Sequence, residues 1–479
     1  MTANVGTERA HGIWSPSPDE VAVWASGVLL VAFLGTLDLW ARGLASPVAA
    51  VAVLAVGALY TRLLGVEAGL VVLLIVTNLA DHFTFPVGPL AIRAEQVGAL
   101  LAAAVVVVRG LRTADLSIFR PRVDEWLLLA WIALSALSSL LDSPDRRLSA
   151  KVLVLTAVCT LGFFLPRRLL KGLRSRLLEV VVRWLLIAFA TESTYGVLAY
   201  LLHVFGPSIS IGPNPATGHL EAYGTLWEQN VFGAFAAAGA VAWVYLGPQR
   251  FKQAWIGLAM CTGGLVDSLT RAAWLTATAV GALGIMLPGL RRRLELPMVG
   301  TGLLGGLMVA VSVVVVDTIG SYTVPVPGLA QPPPSHGLLF AIFNMTDFIG
   351  RLNQTGPVWS DVSGGHLVLG RGTASFEALH VVGGISEHVA SLPLLVFNDT
   401  GIVGLVVFTG FIAVVVARIW ARRDGQLVGG LAQMAIVIGL TNLATQTTEL
   451  MIDWLLIGIV MAAVDVSNEA SEAAPPPPA

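Results

Sequence analysis

About fourteen apolar runs, most of them near the length that crosses a bilayer, follow one another along this chain. A hydrocarbon core ~30 Å thick needs ~20 apolar residues in a helix that rises ~1.5 Å per residue. The runs fall at residues 21–40, 47–64, 67–80, 89–108, 125–141, 148–164, 182–204, 230–246, 255–267, 271–287, 297–316, 401–420, 427–443 and 450–464. Inside lipid every backbone N–H and C=O must find its partner within the protein, so runs of this length are expected to be helices. The stretches 67–80 and 255–267 are short and read as tilted neighbours, half-helices or a re-entrant element, which sets the count at 12–14. Only 12% of residues are charged, against ~25% in ordinary globular chains, so little is left over for a water-soluble body. The first run exceeds the ~7–15 residues of a signal-peptide core and reads as a retained helix. Cys159 and Cys261 both lie inside apolar runs, where thiols behave as small hydrophobes, so no disulfide is expected.

Basic residues orient the runs, because short cytoplasmic loops collect Lys and Arg. Arg109, Arg112, Arg120 and Arg122 lie between the fourth and fifth runs, and Arg167, Arg168, Lys171, Arg174 and Arg176 between the sixth and seventh. Arg250 and Lys252 follow the eighth run, Arg291 to Arg293 the tenth, and Arg418, Arg422 and Arg423 close the twelfth. All five loops share one parity, which puts both termini in the cytoplasm and connections 206–228 and 321–400 outside. The expected organisation is a cytoplasmic segment 1–20, a helix bundle 21–318, an extracytoplasmic loop domain 319–400, C-terminal membrane helices 401–465 and a Pro-rich, disordered cytoplasmic tail 466–479.

The long outer loop is where chemistry is expected, since connections beyond ~15 residues are usually functional or disordered. It carries Arg351, Arg371, His366, His380 and His388. Elsewhere, Arg93 opens the fourth run and Arg271 the tenth, both against the positional trend of the other cations. Snorkelling or local pairing is the plain reading of such residues, as for Arg146 and Arg147 beside Asp142 and Asp145. Asp267 and Arg271, four apart, pair only if one helix continues through them. Among carboxylates, Glu192 sits near the middle of the seventh run, and Glu449 and Asp453 flank the start of the last. An ionisable group at membrane depth is a functional hypothesis by default, the alternative being a carboxyl that only locks helices together.

Separated arginines at an outer surface suit an anionic amphipathic substrate, because guanidinium forks grip phosphate oxygens and keep their charge. A lipid-linked diphosphate brings its own leaving group. It needs cations to stabilise the departing charge and a base for an acceptor hydroxyl. His388 is the first choice of base, with His366 and His380 behind it. No metal-binding spacing and no nucleotide-binding motif appears, and no metal, cofactor or nucleic-acid partner is expected. Gly370 to Phe376 is either a backbone anion cradle or a turn.

Several stretches together resemble the O-antigen ligase and polysaccharide polymerase family. They are Tyr195 to Leu201, Tyr223-Gly224-Thr225 running into Asn230 and Phe235, and Ser268-Leu269-Thr270-Arg271 before Trp274. In the outer loop they are Gly350-Arg351, Gly370-Arg371-Gly372 before Phe376, and His388 followed by Asn398-Asp399-Thr400-Gly401 and Gly404. The resemblance implies a GT-C-like, all-α polytopic membrane protein with one large extracytoplasmic loop. It implies metal-independent, inverting transfer or polymerisation of a glycan from a polyprenyl-diphosphate-linked donor to a glycan, lipid or protein acceptor. The reaction would run at the outer face of the cytoplasmic membrane. By the same resemblance Arg271 and Arg351 engage the diphosphate and His388 activates the acceptor. Arg371, Arg93, Asn230 and Glu192 are the further candidate substrate contacts. The chain departs from the pattern at Glu221, where the family often has arginine, at His388-Val389, where it has His-Asn, and in a His388-to-Gly401 spacing about two residues longer, which puts Ala390 at the matching position. The competing class is a transporter or flippase of lipid-linked saccharides, which predicts repeated halves and broken helices with charges at mid-membrane.

Overall fold

A computed structural model of the chain describes residues 16–40, 45–80, 83–87, 90–114, 116–171, 175–202, 211–213, 220–226, 228–286, 294–320, 353–382, 385–446 and 450–472. Helices α1 (Pro18–Trp40), α2 (Ala45–Leu64) and α3 (Val66–Asn78) come first. A β1–β2 ribbon (Thr84–Val87, Leu90–Arg93) then precedes α4 (Ala94–Thr113). There follow α5 (Val123–Asp142), α6 (Arg146–Cys159), α7 (Leu161–Leu169) and α8 (Ser175–Leu202). A second ribbon, β3–β4 (Ile211–Pro213, Leu220–Ala222), leads to α9 (Gln229–Leu246), α10 (Ala254–Asp267), α11 (Arg271–Met286) and α12 (Leu296–Gly320). The chain ends with α13 (Thr355–Ser363), α14 (Ser375–Leu379), the ribbon β5–β6 (Val381–Val382, Ile385–Ser386), α15 (Leu392–Ala421), α16 (Gln426–Asn442) and α17 (Met451–Glu472).

Each of the fourteen apolar runs contains a helix. Among the described residues nine helices are long and apolar enough to cross a membrane, α6 and α7 counting together. Five shorter apolar helical stretches complete the set: α3, α10, α11, residues 296–309 of α12, and α16. The chain is a helical, multi-pass membrane protein. Differences from the expected boundaries have local causes. The fourth span starts at Ala94, since residues 84–87 pair with 90–93 as an antiparallel ribbon with Thr84 opposite Arg93. Pro86 and Pro89 there cannot supply helical N–H donors. The twelfth begins at Leu392, with Pro393 in its first turn, so the last residues assigned to the outer loop are helical. At the other terminus α17 runs on to Glu472, through residues read as the start of a disordered tail.

Caps and small residues fix the bundle. Asp145 caps α6 by accepting from the amides of Arg147 and Leu148, both at 3.0 Å. Glu125 reaches back to the Arg122 amide at 2.9 Å and closes the first turn of α5. Helices α7 and α17 cross almost backbone to backbone at Gly162 and Gly458, where a side chain on either glycine would strike the opposite main chain. Such close approach is how membrane helices gain packing when lipid offers no hydrophobic driving force.

Candidate functional site

The two ends of the bundle carry different chemistry. At one end α5 begins and α7, α15 and α17 finish. Arg167, with its side chain 0% exposed, reaches Asp124 at 2.6 Å, Glu125 at 3.0 Å and, through Nε, Asp465 at 3.0 Å. Arg418 bonds Asp124 at 2.8 Å and also pairs with Asp465, to which Arg122 adds a further contact. Arg168 pairs with Glu125. Arg122 has its guanidinium titration pushed down, first by burial and then by the neighbouring Arg418. These arginines were read from sequence as loop cations; their contacts put those loop ends on one face, in agreement with the expected parity.

The opposite end holds the candidate site, in two parts. The first is a cavity of about 350 Å³ between α1, α3 and α8. Its wall runs along α1 from Val23 to Thr36, about 20 Å at helical rise, and is apolar for most of its length. Trp24 and Val28 are exposed on that wall, so the cavity opens sideways. Two side-chain bonds hold α1 against α8: Trp24 Nε1 donates to Thr191 at 3.2 Å, and Arg183 pairs with Glu20 at 2.6 Å. The polar groups on the wall are Thr36, Thr191, Glu192, Tyr195 and Thr225.

Glu192 is 3% exposed. It is held by neutral donors: the Thr225 amide donates to Oε1 at 2.6 Å, and the Thr225 hydroxyl lies 2.8 Å from Oε2. That hydroxyl also contacts the carbonyl of Leu79. A hydroxyl has one proton and a carbonyl only accepts, so when Thr225 donates to Leu79 its contact with Glu192 requires a proton from the carboxyl. The contact thus accommodates Glu192 as a carboxylate when Thr225 donates to it and as a carboxylic acid when Thr225 donates to Leu79. Gly224 makes this approach possible: its φ is +60°, and a Cβ there would collide with the Glu192 carboxyl. Tyr223, half-buried beside it, has its phenol pushed up by burial and by neighbouring Tyr195, which keeps it a hydrogen-bond donor near neutral pH. Thr270 donates to the Gln229 carbonyl at 2.9 Å and ties the α10–α11 turn to the start of α9. Arg271 and Asn230 thus start neighbouring helices around the segment that holds Glu192. Arg93 stands at the N-cap of α4, at the end of the ribbon that follows α3.

The second part is the loop over α15. Helix α15 is interrupted at Gly401, with φ +62° and ψ −161°. The main-chain groups freed there are taken up by residues 367–372. Amides of Arg371 and Gly372 donate to the carbonyls of Asn398 (2.8 Å) and Asp399 (3.0 Å), while Ile402 and Val403 donate to Leu367 (2.9 Å) and Val368 (3.2 Å). Gly370, at φ +75°, lies against the Asp399–Thr400 peptide with no room for a Cβ. Gly370 to Phe376 is accordingly a turn that plugs a helix break, and the amides of Gly370 to Thr373 and of Ser375 are committed to protein carbonyls and to Ser139 rather than to an anion. Two serines of α5 anchor it: Ser138 donates to the Asp399 carbonyl at 2.8 Å, and Ser139 accepts from the Thr373 amide at 2.9 Å.

Each described loop histidine faces a carboxylate. His388 Nδ1 is 3.2 Å from Glu377, and its side chain is 74% exposed. His380 Nε2 is 2.8 Å from Asp361 and stacks on Phe376 at 4.2 Å. His366 lies 3.5 Å from Asp142. Arg371 donates from Nε to the Asp361 carbonyl at 2.9 Å. A carboxylate on one ring nitrogen fixes the tautomer and orientation, as a base on an acceptor hydroxyl requires.

Of the sequence-predicted residues, Glu192, Asn230 and Arg271 gather near the start of α9, and Arg371 and His388 belong to the loop over α15. Among the described residues, neither Arg271 nor a histidine lines the cavity. Arg351 and Glu449 lie outside the described residues. Asp267 and Arg271 do not pair, because α10 ends at Asp267 and the chain turns through Leu269, at φ 49°, before α11. Both carboxylate oxygens of Asp267 are buried without a hydrogen-bond partner among the described residues. Sequence reasoning missed Thr225, whose segment was noticed only by resemblance, and the roles of Glu377 and Asp361. Compared with known proteins, the chain matches no family model and no curated protein.

Proposed function

We propose that this protein is a membrane glycosyltransferase that takes a glycan from a polyprenyl-diphosphate-linked donor and joins it to an acceptor hydroxyl at the outer face of the cytoplasmic membrane. The observation that carries the reading is the cavity between α1, α3 and α8. It is apolar, opens sideways, and has a buried carboxyl and a threonine hydroxyl on its wall. That combination suits an isoprenoid chain with a polar head better than it suits a water-soluble sugar. In this reading the chain lies along α1 and the head points toward Thr225 and Glu192. Arg271, Arg93 and Arg351 supply the positive charge that a departing lipid diphosphate demands. Across the same face, His388 oriented by Glu377 draws a proton from the acceptor as its oxygen attacks the anomeric carbon, while Arg371 holds the loop through Asp361. The bond from sugar to diphosphate breaks as the new glycosidic bond forms, and the lipid diphosphate leaves.

The rival reading, a flippase for the same lipid, draws on the interruption of α15. Residues 402–421 beyond the break nonetheless suffice on their own for a span of ~20 residues, which favours a break at the membrane surface over one at mid-membrane. Proteoliposomes given a polyprenyl-diphosphate oligosaccharide and an acceptor glycan separate the two. Transfer releases lipid diphosphate and lengthens or moves the glycan; transport relocates intact donor. Arg271→Ala is expected to lower transfer by at least ~100-fold with the protein still folded. Full activity in that variant removes Arg271 from the site, and relocation of donor without release of lipid diphosphate rejects the enzyme.

A further inference from the structure

The arginine network at the end away from the α15 loop is not balanced. Four guanidiniums, those of Arg122, Arg167, Arg168 and Arg418, share three carboxylates, those of Asp124, Glu125 and Asp465. One positive charge is left over. It does not sit at the centre, where three carboxylates contact Arg167. The exposure rises outward, from 0% for the Arg167 side chain and 11% for Arg168 to 22% for Arg418 and 32% for Arg122. Arg122 and Arg418, the two most exposed, both reach Asp465, so like charges crowd at this rim. The carboxylates cannot relieve that crowding, because each already serves at least two arginines.

The depth of the rim is set independently by tryptophans. Trp126, in the first turn of α5, and Trp420, in the last turn of α15, are both exposed, and the Arg423 guanidinium lies 4.1 Å from the centre of the Trp420 ring. Exposed indoles at helix ends mark the headgroup level of a bilayer. A surplus cation at that level, between helices, meets lipid phosphate before it meets any other anion in quantity.

We propose that the mouth of this network, at Arg122 and Arg418, binds the phosphate of an anionic phospholipid headgroup. The bound phosphate neutralises the surplus charge and completes the set of acceptors around α5 and α15. This site is independent of the glycan-transfer reading and lies at the opposite face from the residues assigned to it.

The test uses the full chain, purified in detergent. Lipid retention is measured by native mass spectrometry, and thermal unfolding is followed with added phosphatidylglycerol, phosphatidylcholine or inorganic phosphate. Phosphatidylglycerol is expected to be retained about fivefold more strongly than phosphatidylcholine, the effect of one basic residue near a membrane surface. Arg122→Gln, at the rim, should remove most of that preference. Arg112→Gln, on the last turn of α4 outside the network, should leave it intact. Equal retention of the two lipids by the unaltered protein overturns the proposal without recourse to any variant. An unchanged preference in Arg122→Gln, or protection by inorganic phosphate as strong as by phosphatidylglycerol, overturns it as well.

Discussion

Arg167 and Glu192 are both ionisable groups buried inside the helix bundle, and the protein treats them in opposite ways. Arg167 is enclosed by three carboxylates from α5 and α17, within a network that also fastens α15. Glu192 has no cation bonded to it among the described residues; a backbone amide and a hydroxyl hold it beside an apolar cavity. Burying a charge costs several kcal/mol unless partners repay it. Where opposite charges repay it, the group is fixed in one state and serves the fold. Where neutral donors hold it, no opposite charge fixes it in one state, and such a group beside a ligand-sized cavity is suited to act on a ligand.

The sharpest way to break this comparison is Arg167→Ala. It strands Asp124 and Asp465 without their central partner and should cost about 3–5 kcal/mol, read as a large fall in unfolding temperature in detergent. A variant as stable as the parent would mean that the network contributes nothing and that the contrast with Glu192 is empty. Next comes Glu192→Gln, which keeps the size and a hydrogen-bonding carbonyl but cannot exchange a proton. Its stability should stay within ~1 kcal/mol of the parent while transfer falls by ~100-fold or more. Equal loss of stability and activity would place Glu192 with Arg167, as a structural group. The smallest effect is expected at the helix break. Gly370→Val forces a side chain against the Asp399–Thr400 peptide and should cost ~2–3 kcal/mol, felt locally as faster protease cleavage within residues 353–391. Unchanged protection there would show that the loop does not depend on plugging α15.

The membrane architecture was legible in the sequence because lipid enforces it. Every backbone group in a span must bond within its own helix, so a run such as 230–246 announces α9 without knowledge of its neighbours. The parity of the loops was legible for a similar reason, since Arg122, Arg168 and Arg418 sit at helix ends on one face. What the sequence hid depends on contacts between distant segments. Arg167 and Asp465 are 298 positions apart, and Glu192 and Thr225 are 33 apart, across a whole connection. Nothing in the local pattern of either residue marks its partner. The Gly370 run was ambiguous because glycine serves equally for an anion cradle and for close backbone packing, and only the break at Gly401 decides between them. The cavity was invisible, since Val28, Ile75 and Ile187 look like any other residues of an apolar helix.

Photolabelling addresses the cavity directly. A polyprenyl-diphosphate oligosaccharide carrying a diazirine within its isoprenoid chain is bound to the full-length protein, irradiated, and the labelled peptides identified. The account predicts label on α1, α3 and α8, at residues such as Val28, Ile75 and Ile187, suppressed by excess unlabelled donor and by a Gly35→Trp change that fills the cavity. Label spread over the lipid-facing helices without competition, or confined to peptides away from these three, would contradict it.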